Sequence, residues 1–272
     1  RYARLQIRYQ VDEKLSVNTS IDYYTEESNS ISGILREPPD LISAASLVAM
    51  SATPGLETDL SSLRLSSYHV NQDEYATRKL DYWGLNTTMT YTFDNGIEIK
   101  GIVAARNEEN GSNRDDDDAL PQPLVSSPDY DETDLFSAEL NVNGITGKLN
   151  WIGGLYYEGI DSKSHDEFTA DAAFANYFIL ISTGGAFNQP GVVAAEYLTD
   201  FESRTYALYG SGDYLFTEKM IGTLGLRYSY DYRDAHYIQQ NQCWSDLGPL
   251  TGLCFYPNLD LDDDMKDNAI TG

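Results

Sequence analysis

Cysteine and histidine are scarce in this sequence, with 2 Cys and 3 His among 272 residues. That excludes a disulfide-dense scaffold and leaves few ligands for a structural zinc site. Basic residues are few as well. Only 18 Lys and Arg stand against 43 Asp and Glu, a net charge of −25. A chain this acidic has no grip on phosphates, which excludes nucleic acid as a partner. Also missing is any stretch near the roughly 18 apolar residues of a membrane-spanning helix. The best candidate, Ala172 to Ile181, is short and is interrupted by Asn176. The first residue is Arg1, with no Met and no basic-then-apolar leader, so it reads as a processed or truncated start.

What is present is apolar and aromatic. Hydrophobic residues make up 41% of the chain, and 21 residues are Tyr, too rich a mixture for a disordered acidic tail. These residues are arranged in twos. Strict alternation runs over 3–10, 15–23, 84–93, 97–106, 135–142, 149–158, 205–216 and 220–232, which predicts eight strands. Leu5, Ile7 and Tyr9 alternate with Arg4, Gln6 and Arg8; Leu85, Thr87, Met89, Tyr91 and Phe93 alternate with Asn86, Thr88 and Thr90. One face of these strands carries no charge. The other holds Arg4, Arg8, Asp22, Glu98, Lys100, Arg106, Glu139, Glu158, Asp213, Arg227 and Asp231. The first face expects an apolar medium, the second water.

Alternation alone does not separate a soluble β-sandwich from a membrane barrel. Three further features favour the barrel. The runs are long, near the about 9 to 11 residues that a tilted strand needs to cross a bilayer, whereas ordinary strands average about 5 to 6. Aromatics of the uncharged face gather near strand ends: Tyr9, Tyr91, Phe93, Tyr214 and Phe216 beside short turns, Tyr23, Tyr157 and Tyr232 at the far ends. Rings with one apolar and one polar side suit the headgroup level, so these residues predict two girdles. Connections also alternate in length. Short turns at 11–14, 94–96, 144–147 and 217–219 take turns with long connections at about 27–80, 107–132, 159–200 and 233–267. Outer-membrane barrels pair short periplasmic turns with long extracellular loops in this way.

At this point a family resemblance emerges. Arg204-Thr205-Tyr206-Ala207-Leu208-Tyr209-Gly210, a short turn and Gly222-Thr223-Leu224-Gly225-Leu226-Arg227-Tyr228 resemble a mid-barrel hairpin of TonB-dependent outer-membrane receptors. Phe136 to Leu140 followed by Leu149 to Tyr157, and Leu5 to Tyr9 with Leu15 to Asn18, fit the same pattern. The resemblance implies a 22-stranded barrel around an N-terminal plug that engages TonB. Neither the plug, its TonB-engaging motif nor the terminal aromatic strand is recognisable here. The expected fold is therefore an all-β, antiparallel up-and-down transmembrane β-barrel wall. It has eight strands and a ninth beginning at Asn268, so residues 1–272 are one partial barrel domain. The resemblance implies outer-membrane lipid, a small-molecule ligand such as a metal chelate, and the TonB complex, reached through the plug, as partners. The implied function is energised uptake of a scarce solute, a ferric siderophore being the commonest case. A passive porin or small independent barrel is the alternative, and a soluble acidic β-protein the third reading.

Other candidates are weighed singly. Cys243 and Cys254 flank Trp244 and Pro249 in the last long connection and predict a disulfide, worth about 3 kcal/mol by loop entropy. His69, His165 and His236 all fall in expected loops, and no nucleophile motif accompanies them, so no catalytic residue and no enzyme is expected. His236 alone does not supply a zinc site. Asp115 to Asp118 and Asp262 to Asp264 lack EF-hand spacing and read as solvated loop. Tyr209-Gly210-Ser211-Gly212-Asp213 lies mid-strand and is no phosphate loop, and no cofactor is expected. Residues 41–50 and 170–181 carry helical signals, expected to pack on their own loops. The charged residues of the watery face are expected to face a lumen and to pair with each other, a plug or an anionic ligand.

Overall fold

A computed structural model describes residues 1–29, 77–113, 125–170, 192–241 and 258–271. Ten strands form: β1 (Tyr2–Gln10), β2 (Leu15–Asn29), β3 (Thr77–Thr92), β4 (Glu98–Asn113), β5 (Val125–Ser126), β6 (Asp129–Thr146), β7 (Leu149–Ala170), β8 (Val192–Thr217), β9 (Met220–Asn241) and β10 (Leu259–Thr271). They make one sheet in the order β1-β2-β3-β4-β6-β7-β8-β9-β10, with the two-residue β5 pairing β7 off this path. All pairings are antiparallel, and among the described residues the sheet is not closed: β1 and β10 are its two ends.

Tight turns fix the register of the hairpins. Gly96 has φ +80°, and Gly147 has φ +62°, left-handed conformations where a Cβ would be strained. At the first turn Asp12 replaces glycine chemistry with a side chain. Its Oδ1 accepts hydrogen bonds from the backbone amides of Lys14 at 2.7 Å and Leu15 at 2.8 Å. Such Asx geometry satisfies turn amides that the ladder leaves unpaired.

Register then carries the alternation across the whole sheet. Tyr9 lies opposite Val17, Val17 opposite Met89, Met89 opposite Gly101, and the same row continues through Leu140, Leu155, Leu208, Tyr228 and Ile270. A neighbouring row runs from Asn18 through Thr88, Ile102, Glu139, Tyr156, Ala207 and Ser229. Because side chains alternate with period two, slipping one strand by a residue would put its charges into the apolar row.

The strands outrun the alternating segments. β8 has 26 residues, and β7 and β9 have 22 each. Much of what reads as long connection in the sequence is therefore strand, including 107–113, 159–170, 192–200 and 233–241. The ninth strand starts not at Asn268 but at Leu259, so Asp262 to Asp264 pair with β9 instead of forming a loop. His165 and His236 likewise lie on β7 and β9. The physical reason is that pairing needs only backbone hydrogen bonds, whereas alternation also needs the two faces to meet different solvents. Where both faces are hydrated, the pattern fades and the ladder continues.

Candidate functional site

The two faces of the sheet differ in a way that reverses the soluble-protein rule. Residues of the apolar face are open to solvent: Leu224 is 73% exposed, Ile270 75% and Leu208 58%. The polar face contains the most enclosed positions, with Ala207 at 7%, Ser20 at 8% and Asn141 at 9%. A soluble sheet buries its leucines and wets its asparagines. Here the leucines face outward and the asparagines inward.

By strand parity the eleven charged residues picked from sequence share this face of the sheet. Three of them join one cluster. The Tyr209 hydroxyl donates to Glu139 Oε1 at 2.5 Å and also meets the side-chain amide of Asn141. The Tyr156 hydroxyl donates to Glu158 Oε2 at 2.7 Å. The Arg227 guanidinium lies 5.7 Å and 5.9 Å from the ring centres of Tyr156 and Tyr209, within cation–π range. Gly154 makes this possible: a Cβ there would stand 2.5 Å from Tyr209 Cζ. Tyr209 on β8 thus reaches over β7 to acceptors on β6.

The remaining charges are spread along the face. Arg4 pairs with Asp22 at 3.4 Å, and Tyr2 donates to the same carboxylate at 2.9 Å. Arg106 pairs with Glu108 at 2.6 Å and covers the Tyr82 ring at 4.8 Å. Asp231 accepts from Thr205, Asp213 from Thr223, and Glu98 from Asn143. Arg8 and Lys100 form no ion pair among the described residues. The structure adds Tyr156, Tyr209, Tyr82 and Asn141 to the charged residues picked from sequence. Their signal was readable: each is a ring or amide at the parity of the charged face.

Toward the Gly111–Asp129 end, the same face opens into a cavity of about 720 Å³ lined by Arg78, Asn110, Ser112, Asp129, Asp166 and Phe168 among others. Its lining mixes polar side chains with Phe168 and Pro128, and the Ser112 hydroxyl donates to Asp129.

By strand parity the aromatics picked from sequence share the opposite face. Tyr91 and Phe93 meet edge-on at 4.8 Å, and Tyr214 and Phe216 at 4.9 Å, beside short turns. At the other margin Phe136, Tyr157, Tyr206 and Tyr230 form a chain of ring contacts at 6.1, 5.1 and 6.4 Å. Tyr9 and Tyr23 are exposed on the same face. Tyr232 adjoins Lys266, whose ammonium lies 5.5 Å from its ring. Phe136, Tyr206 and Tyr230 extend the set beyond the residues picked from sequence. One row farther along, the face changes character: Trp83, Asn107, Asp134, Asp161, Glu202, Asp234 and Asp264 align.

Cys243, Cys254, His69, Asp115 to Asp118 and residues 41–50 and 171–181 of the two expected helical segments lie outside the described residues, whereas Ala170, the first residue of the second segment, ends β7 as strand. His236, read from sequence as lacking companions, has Asp260 at 2.8 Å and Asp262 at 3.8 Å.

An open up-and-down sheet with an apolar exposed face and a polar enclosed one has the pattern of a barrel wall. Comparison with solved structures agrees. The fold is similar to the ferric yersiniabactin uptake receptor FyuA from Yersinia pestis, with a TM-score of 0.59 and 12% identity, covering 99% of this chain and 33% of that one. It is also similar to the siderophore receptor PiuA from Acinetobacter baumannii (TM-score 0.58, 13% identity, 99% and 39% covered). The ferric citrate transporter FecA gives a TM-score of 0.51 at 12% identity, with 99% and 32% covered. This chain therefore spans between 32% and 39% of the length of these neighbours. No protein-family model matches the sequence, and no curated protein matches it. The likeness establishes the fold expected from the hairpins, and the neighbours are receptors and transporters, not enzymes.

Proposed function

We propose that the chain is part of the barrel wall of a TonB-dependent receptor in a Gram-negative outer membrane, where it serves active uptake of a scarce solute. One observation carries the reading: the apolar face is the exposed one, from Leu5 on β1 to Ile270 on β10. Water does not stabilise such a face, but hydrocarbon does, and a spanning sheet must satisfy its backbone by closing into a barrel. Among the described residues β1 and β10 are not bonded to one another, which favours a segment of a larger barrel over a small independent one.

On this reading the enclosed polar face lines the lumen. Its charges contact each other, a plug domain or the passing ligand, and Arg8 and Lys100 are two cations of that face with no ion pair among the described residues. The aromatic margins at Tyr9, Tyr91, Phe93, Tyr214 and Phe216, and at Tyr23, Tyr157 and Tyr232, form the two girdles. Short turns face the periplasm and the long connections the exterior. The chelates named for FyuA and FecA support a ferric siderophore or a similar metal chelate as ligand. TonB would act through a plug outside residues 1–272.

The test uses the full-length protein in cells with and without TonB. The expected result is outer-membrane fractionation, heat-modifiable migration and uptake of a radiolabelled ferric chelate that disappears without TonB. Recovery as a soluble monodisperse protein without detergent would overturn the membrane reading. Uptake indifferent to TonB would leave a passive pore.

A further inference from the structure

The apolar-parity face does not end at its aromatic margin, and above it lies a grouping that neither the lumen nor the lipid contact explains. His165 and Glu167 stand two residues apart on β7, so they share that face. Glu196 on β8 lies directly opposite Glu167. His165 Nε2 is 3.0 Å from Glu196 Oε1 and 3.3 Å from Glu167 Oε1. One ligand atom from each of the three residues fits within 4.8 Å of the others.

From this geometry we infer that His165, Glu167 and Glu196 bind a divalent transition-metal ion of the zinc type on the outer face of the sheet. The His165 side chain is 40% exposed, but its Nε2 atom is shut off from solvent and makes no hydrogen bond, with both carboxylates at ion-pair distance. A buried ring nitrogen in that state costs free energy unless its lone pair is used. Neither Glu167 nor Glu196 has a Lys or Arg partner among the described residues. Tetrahedral zinc with bonds of about 2.0 to 2.1 Å separates its ligands by roughly 3.3 Å, close to the spacings seen here. Imidazole with two carboxylates selects zinc-type ions over calcium and magnesium, which take all-oxygen shells. A register shift between Phe168 and Thr169 follows the site directly, and such bulges re-aim neighbouring side chains. Three protein ligands leave one position for water or an outside anion. The site ties β7 to β8 beyond the apolar zone, and its argument rests on strand register and not on the transport reading.

The second trio, His236 with Asp260 and Asp262, is the internal comparison. Its Nε2 is already hydrogen-bonded to Asp260, and the two carboxylates are 74% and 83% exposed. Nothing there is orphaned, so it carries no site.

The experiment is a Zn²⁺ titration of the detergent-purified full-length protein against a chromophoric chelator. Wild type should hold one more tightly bound equivalent than H165A. E196Q, which removes a direct carboxylate ligand, should weaken that equivalent by at least about 10-fold, the lower end of what even outer-shell losses cost. H236A should retain it. Heat-modifiable migration checks that each variant is folded, and H165N serves if H165A fails that check. Equal stoichiometry and affinity in wild type and H165A would overturn the site. So would displacement of the Zn²⁺ by an equal concentration of Ca²⁺, the mark of a diffuse acidic surface.

Discussion

Leu208 and Asp200 lie on the same strand and point to the same side, roughly 26 Å apart at about 3.3 Å per residue. Around Leu208 the surface is Leu140, Leu155, Tyr157 and Tyr228. Around Asp200 it is Glu132, Lys163 and His236. Nothing in the backbone changes between them, since β7, β8 and β9 stay in register throughout, apart from shifts near their ends. A soluble sheet is buried or wet along a whole face, whereas a switch partway along, aligned over several strands, is what the proposed membrane setting requires at the boundary between hydrocarbon and water.

Placing charge on either side of that boundary breaks the comparison hardest. Leu208→Arg should lower the stability of the full-length barrel in lipid vesicles by about 2 to 4 kcal/mol, the cost of Arg near the bilayer midplane. Asp200→Arg, on the same face but beyond the margin, should change it by no more than about 0.5 kcal/mol. Reversible denaturant unfolding in vesicles measures both. Equal effects would mean that the two regions share one solvent.

The opposite face sharpens the contrast, because there packing decides and not solvent. Adding a Cβ at Gly154 drives it against Tyr209 and Asn141. Gly154→Ala should therefore cost about 1 to 3 kcal/mol, the usual range for overpacking. Gly101 faces the apolar side with nothing within 4 Å of such a Cβ, so Gly101→Ala should be tolerated. A smaller loss is expected at the boundary itself. Tyr206 touches both Tyr157 and Tyr230, and Tyr206→Leu should cost about 0.5 to 1.5 kcal/mol through lost ring contacts. The same vesicle assay reads both, and a neutral Tyr206→Leu would argue against a girdle there.

How much of this was legible in the sequence follows from the same physics. Between the margins one face is apolar and the other polar, as the proposed lipid and lumen contacts require, so Leu5, Ile7 and Tyr9 against Arg4 and Arg8 spell out strand, parity and face. Beyond the margins both faces are wet. Asp200, Glu202 and Arg204 on one side alternate with Phe201 and Ser203 on the other, and no contrast of polarity betrays a strand. That is why β8 begins at Val192 although its alternation is visible only from Thr205. The interior cluster was half legible. Glu139, Glu158 and Arg227 stood out as charges, but the reach of Tyr209 over Gly154 depends on register between β7 and β8, which no single strand encodes. The His165 grouping was illegible for the same reason, since Glu196 lies 31 positions away in the chain and meets it only through pairing.

The smallest effect belongs to the short turns, which sit at the opposite end from the acidic surface and are small enough to be ordered by a single side chain. Asp12 accepts from the Lys14 and Leu15 amides, and these two backbone bonds hold its carboxyl below the usual carboxylate range, outweighing its slight desolvation. The sign follows from linkage: a carboxyl whose pKa is lower when folded adds stability above its unfolded pKa, about 3.9. That contribution is lost as pH falls through the lower, folded value. A carbon-13 carboxyl titration should give Asp12 a midpoint below the unfolded value of about 3.9. Asp12→Ala should remove the acid sensitivity of Lys14 and Leu15 amide exchange while leaving the Gly96 turn unaltered. If exchange at Lys14 and Leu15 keeps the same pH dependence in Asp12→Ala, the carboxylate is not what orders this turn, and β1–β2 pairing alone sets its shape.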